Sequence, residues 1–414
     1  MVTDNTILGL DIGTSKICAV AGAKQPDGSV RIIAFKEQRS EGVRAGNIIN
    51  IESVISIISN IRKEIELEAA CEIKQIVTGV SGSHIEGVMS QGVVGIKSKD
   101  QEIHSEDIYR SMEVARAFEL PLDREILHTL VQDFCIDGRS GIKDPIDMIG
   151  HRLETKVMIV TGSVTASQNI DKCIKRSGLM TKRRVLQQLA DSEALLSEDE
   201  KEMGTLLINI GAGMTNIIGY IHGAPVFVGG IDIGGSQVTS DLAFVLNQPL
   251  QLVEEMKITY GACFGPSIDA HENVILPQVG GLPSIKMPRK ELCKIIEPRM
   301  AEIFIMLRTM LDKRGLLQSF GGIALTGGGA MMPGATDLAA EIFERPTRRA
   351  TFKKVQGFDV NQFDLRYSTA IGLVLYDIRR SSNNEAFVHA GNKTSTGGKR
   401  RFGSKVKHMF DTLF

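Results

Sequence analysis

Apolar residues along this chain fall into two blocks of one layout. Ile7-Leu8-Gly9-Leu10-Asp11-Ile12-Gly13-Thr14-Ser15-Lys16-Ile17-Cys18 is an apolar run, a polar residue, a glycine turn with hydroxyls, then a second apolar run. Leu206-Leu207-Ile208-Asn209-Ile210-Gly211-Ala212-Gly213-Met214-Thr215-Asn216-Ile217-Ile218 repeats it half a chain later. Each block predicts a β-hairpin. Val30–Phe35 adds a third strand to the first, and Pro225–Val228 to the second. Apolar residues at 51, 54, 55, 58, 61 and 65 have helical spacing, with Asn50 placed as N-cap. Ile76–Val80 reads as a short strand ending in Ser-Gly-Ser.

The texture changes over residues 83–161. A short strand (Val93–Ile96), a helix opening near Ser105 with Glu106 and Asp107 in its first turn, loops over Asp137–Asp147 and a strand Lys156–Thr161 predict a small inserted α+β unit. Helices follow near Ile170–Ser177 and over Leu186–Leu196. Beyond the second hairpin come a helix from about Val238, an amphipathic helix over 298–318, a strand Ile323–Thr326 running into Gly327-Gly328-Gly329, and helices Ala335–Phe343 and Ser368–Asp377. Strands alternating with helices in two halves imply an α/β fold. Residues 381–398 are rich in Ser, Asn, Gly and Thr and read as a flexible linker.

With 414 residues there is room for two or more domains with their own cores. A net charge of −1 excludes a global field favouring nucleic acid. The six cysteines are scattered, with neither CxxC nor metal-ligand spacing, and read as reduced thiols. The first residues lack a basic region followed by an apolar run, so no secretory signal is expected. Apolar runs all fall short of the roughly 18 residues needed to span a bilayer, so any membrane contact is expected to be peripheral.

A buried strand running into glycine lets backbone N–H groups approach an anion, and two such turns facing each other could hold a nucleotide's phosphates from both sides. Asp11 ends the first strand and suits Mg²⁺ held through water. Around Gly13, Thr14 and Ser15 can donate to phosphate oxygens and Lys16 could add a point charge. Asn209 takes the matching place in the second turn, without a charge, and is followed by Gly211, Gly213, Met214, Thr215 and Asn216. Asp232 could stand in for the missing carboxylate, but a capping role after the third strand is favoured. Glu254 and Lys257 share a helix face and could grip ribose hydroxyls, or be a solvated pair. Gly327, Gly328 and Gly329, with Met331 beyond, would let backbone approach a base or an α-phosphate.

The last sixteen residues form a segment of their own. Phe402, Val406, Met409, Phe410, Leu413 and Phe414 trace one helix face, and Lys399, Arg400, Arg401, Lys405 and Lys407 flank it against Asp411. A basic amphipathic helix on a tether reads as a membrane-surface anchor; docking on the chain's own core or in a partner's groove is the competing reading.

The order of these pieces resembles that of the actin, heat-shock-chaperone and sugar-kinase superfamily, and within it the FtsA family of bacterial cell division, nearly end to end. Further motifs carry the likeness. They are Leu127-His128 through Phe134, Asp137-Gly138, Ile142-Lys143-Asp144-Pro145, and Met148-Ile149-Gly150-His151-Arg152-Leu153-Glu154. To these add Val238-Thr239-Ser240-Asp241-Leu242-Ala243, Ile295-Ile296-Glu297-Pro298-Arg299 and Tyr367-Ser368-Thr369-Ala370-Ile371-Gly372-Leu373. The resemblance implies an actin-like two-lobed ATPase fold of duplicated ribonuclease-H-like domains, an FtsA-type inserted α+β subdomain and a C-terminal amphipathic helix. The first lobe is placed at 1–82 with 162–203 and 368–380, the inserted subdomain at 83–161, and the second lobe at 204–237 with 318–367. Its upper subdomain is placed at 238–317, the linker at 381–398 and the membrane helix at 399–414. Asn209 stands where relatives carry Asp, and Asp147 where Gly is usual before Met.

ATP with Mg²⁺, filaments on the inner membrane face at the division site, recruitment of later division proteins and capture of the FtsZ C-terminal tail are what the resemblance implies. For the tail, Lys286, Arg289, Lys290, Lys294 and Arg299 offer charge suited to an acidic peptide. Asn209 implies slow ATP turnover at most. A pilus-assembly scaffold of the same fold is a second reading. An ATP-dependent small-molecule kinase is a third; its base would come from Gln188, Asp191 or Glu193. A chaperone would need a further substrate domain.

Overall fold

The computed structural model describes residues 6–26, 29–269, 271–276, 283–353 and 364–392, with side chains as far as Ser381. Two five-stranded sheets share one topology. In the first, Met180–Leu186, Gln75–Val80, Thr6–Ile12, Lys16–Lys24 and Val30–Arg39 lie side by side in that order. In the second the order is Thr347–Arg349, Gly322–Thr326, Thr205–Ile210, Thr215–Ile221, Ala224–Ile231. Each is a three-stranded antiparallel meander extended by two parallel strands. The predicted hairpins are therefore the centres of two duplicated lobes.

Their strands are apolar on both faces because helices cover both. The helix Ile51–Ala69 packs Val54, Ile58, Ile61 and Ile65 on the first sheet, and Asn50 caps it by accepting from Ser53 N–H. The helix Arg289–Asp312 packs Leu292, Ile296, Met300, Ile303, Phe304 and Leu307 under the second. It starts earlier than expected and runs through Pro298. That residue is exposed, as is Lys294, whose carbonyl loses its helical donor to the proline. The strand Met180–Leu186 was hidden in sequence by Lys182, Arg183 and Arg184. It lies at the sheet edge, where Lys182 meets Asp377 at 2.6 Å and Arg184 meets Asp171 at 3.0 Å and Glu125 at 3.1 Å.

Between strands Gln75–Val80 and Met180–Leu186 the chain makes a four-stranded antiparallel sheet of Glu86–Gly95, Arg152–Ser163, Arg124–Ile136 and Arg139–Ile142, packed on the helix Ser105–Arg116. The strands are longer than expected, and one lies inside the stretch read as loop. Asp147 adopts φ +62°, the left-handed conformation that favours Gly and that Asp tolerates better than most residues. His128, buried on the strand Arg124–Ile136, accepts from Leu186 N–H through Nε2 at 2.9 Å and so ties this subdomain to the first lobe.

The helix Ser368–Asn392 closes the first lobe. Residues 381–392 were expected to be linker, but the helix extends across them. Between Ile378 and Ala390 no Gly or Pro interrupts the chain, and a nucleated helix propagates through Ser and Asn at small cost. The rest of the expected linker, 393–398, and the amphipathic segment 399–414 lie outside the described residues. A Cβ at Gly372 would overlap the Ala190 carbonyl oxygen on the helix Gln187–Leu195. The two backbones therefore touch. Gly372→Ala is expected to destabilise the protein by about 1–3 kcal/mol. Chemical denaturation of the two proteins checks this, and an unchanged midpoint contradicts the packing.

Burial, with the charges of Arg380 and Arg183, pulls the His128 imidazole down from 6.5 to about 3. Below the ordinary histidine range the unfolded chain takes up a proton that the native site refuses, so stability falls as pH drops from about 6.5 towards 3. His128→Gln keeps an acceptor and removes the titration. The stability of wild type relative to this variant should fall by roughly 1–2 kcal/mol between pH 7 and pH 5, at up to about 1.4 kcal/mol per pH unit. A pH-independent difference in denaturation midpoints contradicts the assignment.

Candidate functional site

The two hairpin turns are built alike. Gly13 N–H donates to Lys16 C=O at 3.0 Å, and Gly211 N–H donates to Met214 C=O at 2.8 Å. Both turns face one cleft of about 710 Å³ between the lobes. A Cβ at Gly213 would lie 2.6 Å from Thr14 Oγ1, so the turns approach each other closely. Asp11, Gly13, Thr14, Ser15 and Lys16 line one side, and Asn209, Gly211, Gly213, Met214 and Asn216 the other. Glu254, Lys257, Gly327, Gly328, Gly329 and Met331 complete the wall. Thr215 does not reach it: fully buried under the hairpin, it donates to Ile233 C=O at 2.8 Å. Asp232 also stays outside and accepts from Ser83 Oγ at 2.7 Å.

Asp11 is nearly buried; its Oδ1 accepts from Gln187 Nε2 at 2.9 Å and its Oδ2 lies 3.8 Å from Lys16 Nζ. Burial pushes this carboxyl up and the Lys16 charge opposes the shift. A carboxylate held this way gains from a cation in the cleft. Asn209 turns its amide nitrogen away from the cleft, donating to Asp191 Oδ2 at 2.7 Å. Asp191 Oδ1 accepts from Ser368 Oγ at 2.8 Å and Thr369 Oγ1 at 2.9 Å. Burial pushes the Asp191 carboxyl up to about 6 against these three hydrogen bonds, and the charge of Asp11 adds to the rise.

Lys257 Nζ donates to Glu254 at 2.7 Å, Thr239 Oγ1 at 2.8 Å and Gly235 C=O at 2.9 Å. The pair expected from helical spacing is thus fixed at the rim of the cleft, where burial draws the Lys257 ammonium down and Glu254 opposes it. Beside it Ile258, Met300, Met332 and Pro333 make an apolar wall suited to a flat ring.

None of Gln188, Asp191 and Glu193 lines the cleft. Gln188 donates to Gly229 C=O at 3.2 Å, and Glu193 pairs with Lys201 at 3.1 Å and Arg379 at 2.9 Å. The helix Gln187–Leu195 is buried nearly all round, so apolar periodicity could not tell which face meets the cleft. Its first residue, Gln187, does. The signal that could have found it is position: it directly follows the edge strand that its basic residues disguised.

The cationic candidates disperse. Lys286 and Lys290 are exposed. Arg289 pairs with Glu272 at 2.8 Å and Lys294 with Glu291 at 2.7 Å. Arg299 is fixed by Asp241 at 2.7 Å and by Glu302. Lys294 and Arg299, but not the others, border a second, open cleft of about 420 Å³ with Phe244, Val245, Ile295 and Pro298. Phe244 is 88% exposed there, and a large apolar ring so displayed marks a contact surface.

Two lobes of one topology, a cleft between their glycine turns and a subdomain inserted in the first lobe define an actin-like α/β protein. Among solved structures this chain is similar to a PilM–PilN type IV pilus biogenesis complex (18% identity, TM-score 0.62, 90% of this chain and 98% of that one). It is also similar to MreB5 of Spiroplasma citri bound to ADP (14% identity, TM-score 0.56, 92% and 99%). At such identities these establish the fold alone. The family model "SHS2 domain inserted in FTSA" matches residues 82–161 and the model "Cell division protein FtsA" matches 206–372. "Cell division protein FtsA" of Borreliella burgdorferi is 42% identical over 410 residues, 98% of each chain. Its namesake from Pseudomonas aeruginosa is 38% identical over 391 residues, 94% of this chain and 93% of that one. The chain belongs to the FtsA family.

Proposed function

We propose that this protein is an ATP-binding, actin-like scaffold of bacterial cell division, assembling into filaments on the inner membrane face and tethering FtsZ there. The single observation that carries the nucleotide reading is the pair of identically built turns facing one cleft. The triphosphate would lie between them, with Thr14, Ser15 and Lys16 on one side and the N–H groups around Gly211 and Gly213 on the other. Glu254 and Lys257 would meet the ribose and the Met300–Met332 wall the base. Mg²⁺ would sit by Asp11 through water and neutralise phosphate charge. No carboxylate base borders the cleft at the helix Gln187–Leu195, which disfavours a small-molecule kinase. Gly213→Val forces the turns apart and is expected to weaken Mg–ATP binding roughly ten-fold or more, about 1.4 kcal/mol, by titration calorimetry. Unaltered affinity would place the nucleotide elsewhere.

The segment 399–414 is the proposed membrane anchor. Each basic residue near an anionic surface contributes roughly 1 kcal/mol, so one copy binds weakly and a filament of many copies binds firmly. The FtsZ tail, taken as an acidic peptide, would dock in the cleft beside Phe244, with Lys294 and Arg299 at its rim. One co-sedimentation experiment on anionic vesicles tests both parts. The full chain should pellet and carry FtsZ with it; without 399–414 neither should pellet; Phe244→Asp should pellet and leave FtsZ in solution. Pelleting that survives removal of the segment, or FtsZ carried by Phe244→Asp, contradicts the corresponding part.

A further inference from the structure

The second turn offers an amide where its partner turn offers a carboxylate, yet a carboxylate lies directly behind it. We propose that Asp191 is a positioning residue that supplies from behind the negative charge Asn209 lacks, holding the Asn209 amide so that its Oδ1 faces the cleft as acceptor for the hydrated divalent ion that accompanies the nucleotide. This rests on the nucleotide reading above.

Three observations carry it. First, Asn209 Nδ2 donates to Asp191 Oδ2 at 2.7 Å, so the amide nitrogen is committed away from the cleft. Second, Oδ1 lies against Gly327, where a Cβ would collide with it, and both Asn209 and Gly327 line the cleft while Asp191 does not. Third, Asp191 is fully buried, and among the described residues no Lys, Arg or His forms an ion pair with it. Its partners are neutral donors: Asn209, Ser368 and Thr369. A buried carboxylate without a countercharge is costly, and it polarises the amide that it grips. A cation on the far side of that amide offsets the cost. Asp11 and the Asp191–Asn209 pair then form two acidic arms, one direct and one relayed.

The arrangement also says what restoring a carboxylate at 209 would do. Asn209→Asp alone sets two carboxylates in contact, and one must hold a proton. Exchanging the pair, D191N/N209D, keeps the hydrogen bond and moves the charge into the turn.

The test uses the full chain and a fluorescent ATP analogue, with Mg²⁺ titrated from an EDTA-treated start. Asp191→Asn should raise the Mg²⁺ concentration for half-maximal nucleotide binding roughly ten-fold or more, with binding in EDTA unchanged. D191N/N209D should return the midpoint to wild type or below, and N209D alone should not. A purely structural role for Asp191 would lower the melting temperature of the nucleotide-free protein without moving the Mg²⁺ midpoint. That result overturns the inference and leaves the nucleotide reading standing. If D191N fails to fold, the exchanged pair decides: a midpoint raised ten-fold over wild type overturns the proposal. No nucleotide binding by wild type overturns the nucleotide reading and this inference with it.

Discussion

Where the closing helix Ser368–Asn392 crosses the helix Gln187–Leu195, Gly372 lies on the Ala190 carbonyl, and much of the molecule depends on that backbone contact. A second glycine works the same way: a Cβ at Gly9, on the central strand of the first lobe, would crowd the Ala370 carbonyl oxygen at 2.5 Å. The closing helix is thus clamped between the first hairpin and the helix that leads into the second lobe. Its opening residues, Ser368 and Thr369, then reach Asp191, and Asp191 reaches Asn209. Small residues and short polar ones set this spacing together. A larger side chain at either glycine would separate the elements that carry the two turns.

The cleft inherits its electrostatics from that packing. Asp11 in the wall of the cleft and Asp191 behind Asn209 are buried carboxylates, each held by neutral donors: Gln187 for the first, Asn209, Ser368 and Thr369 for the second. Water would screen such charges; burial removes that screening, so both carboxyls take up protons more readily than usual. Lys16 relieves Asp11 in part and also lies 4.8 Å from the Tyr367 ring centroid, which holds its ammonium near the turn. The site is therefore organised around buried carboxylates set behind two glycine turns.

The inserted subdomain is joined to this frame by few but specific bonds. His128 receives Leu186 N–H one residue before Gln187, and Glu125 pairs with Arg184 of the edge strand at 3.1 Å. Gln132 reaches across to the Pro225 carbonyl of the second lobe at 2.7 Å. The subdomain thus bonds to both lobes. Its own core gathers Ile103, Met112, Phe134 and Leu153, and Gly92 lets its outer strand lie against the helix Ser105–Arg116, where any side chain would strike the Ser111 carbonyl.

Much of this was legible without a structure. The two hairpins, the capped helix after Asn50, the helix Ala335–Phe343 and the Glu254–Lys257 pair follow from local periodicity, turn glycines and i,i+3 spacing, which depend on near neighbours only. Periodicity cannot show which face of an all-buried helix meets the cleft, so it does not separate Gln187, which lines it, from Gln188, nor does it show that burial keeps Thr215 out. The edge strand Met180–Leu186 was decided by partners on other elements, carboxylates that pair with its cations, and the helical turn through Pro298 by its exposed position, where solvent can donate to the freed carbonyl. The Asp191–Asn209 bond joins residues on different elements, and no pattern along the chain encodes a distance between elements. Sequence determined the repeated pieces and their order; tertiary packing alone decided which side chains they bring together, because burial and charge act through space.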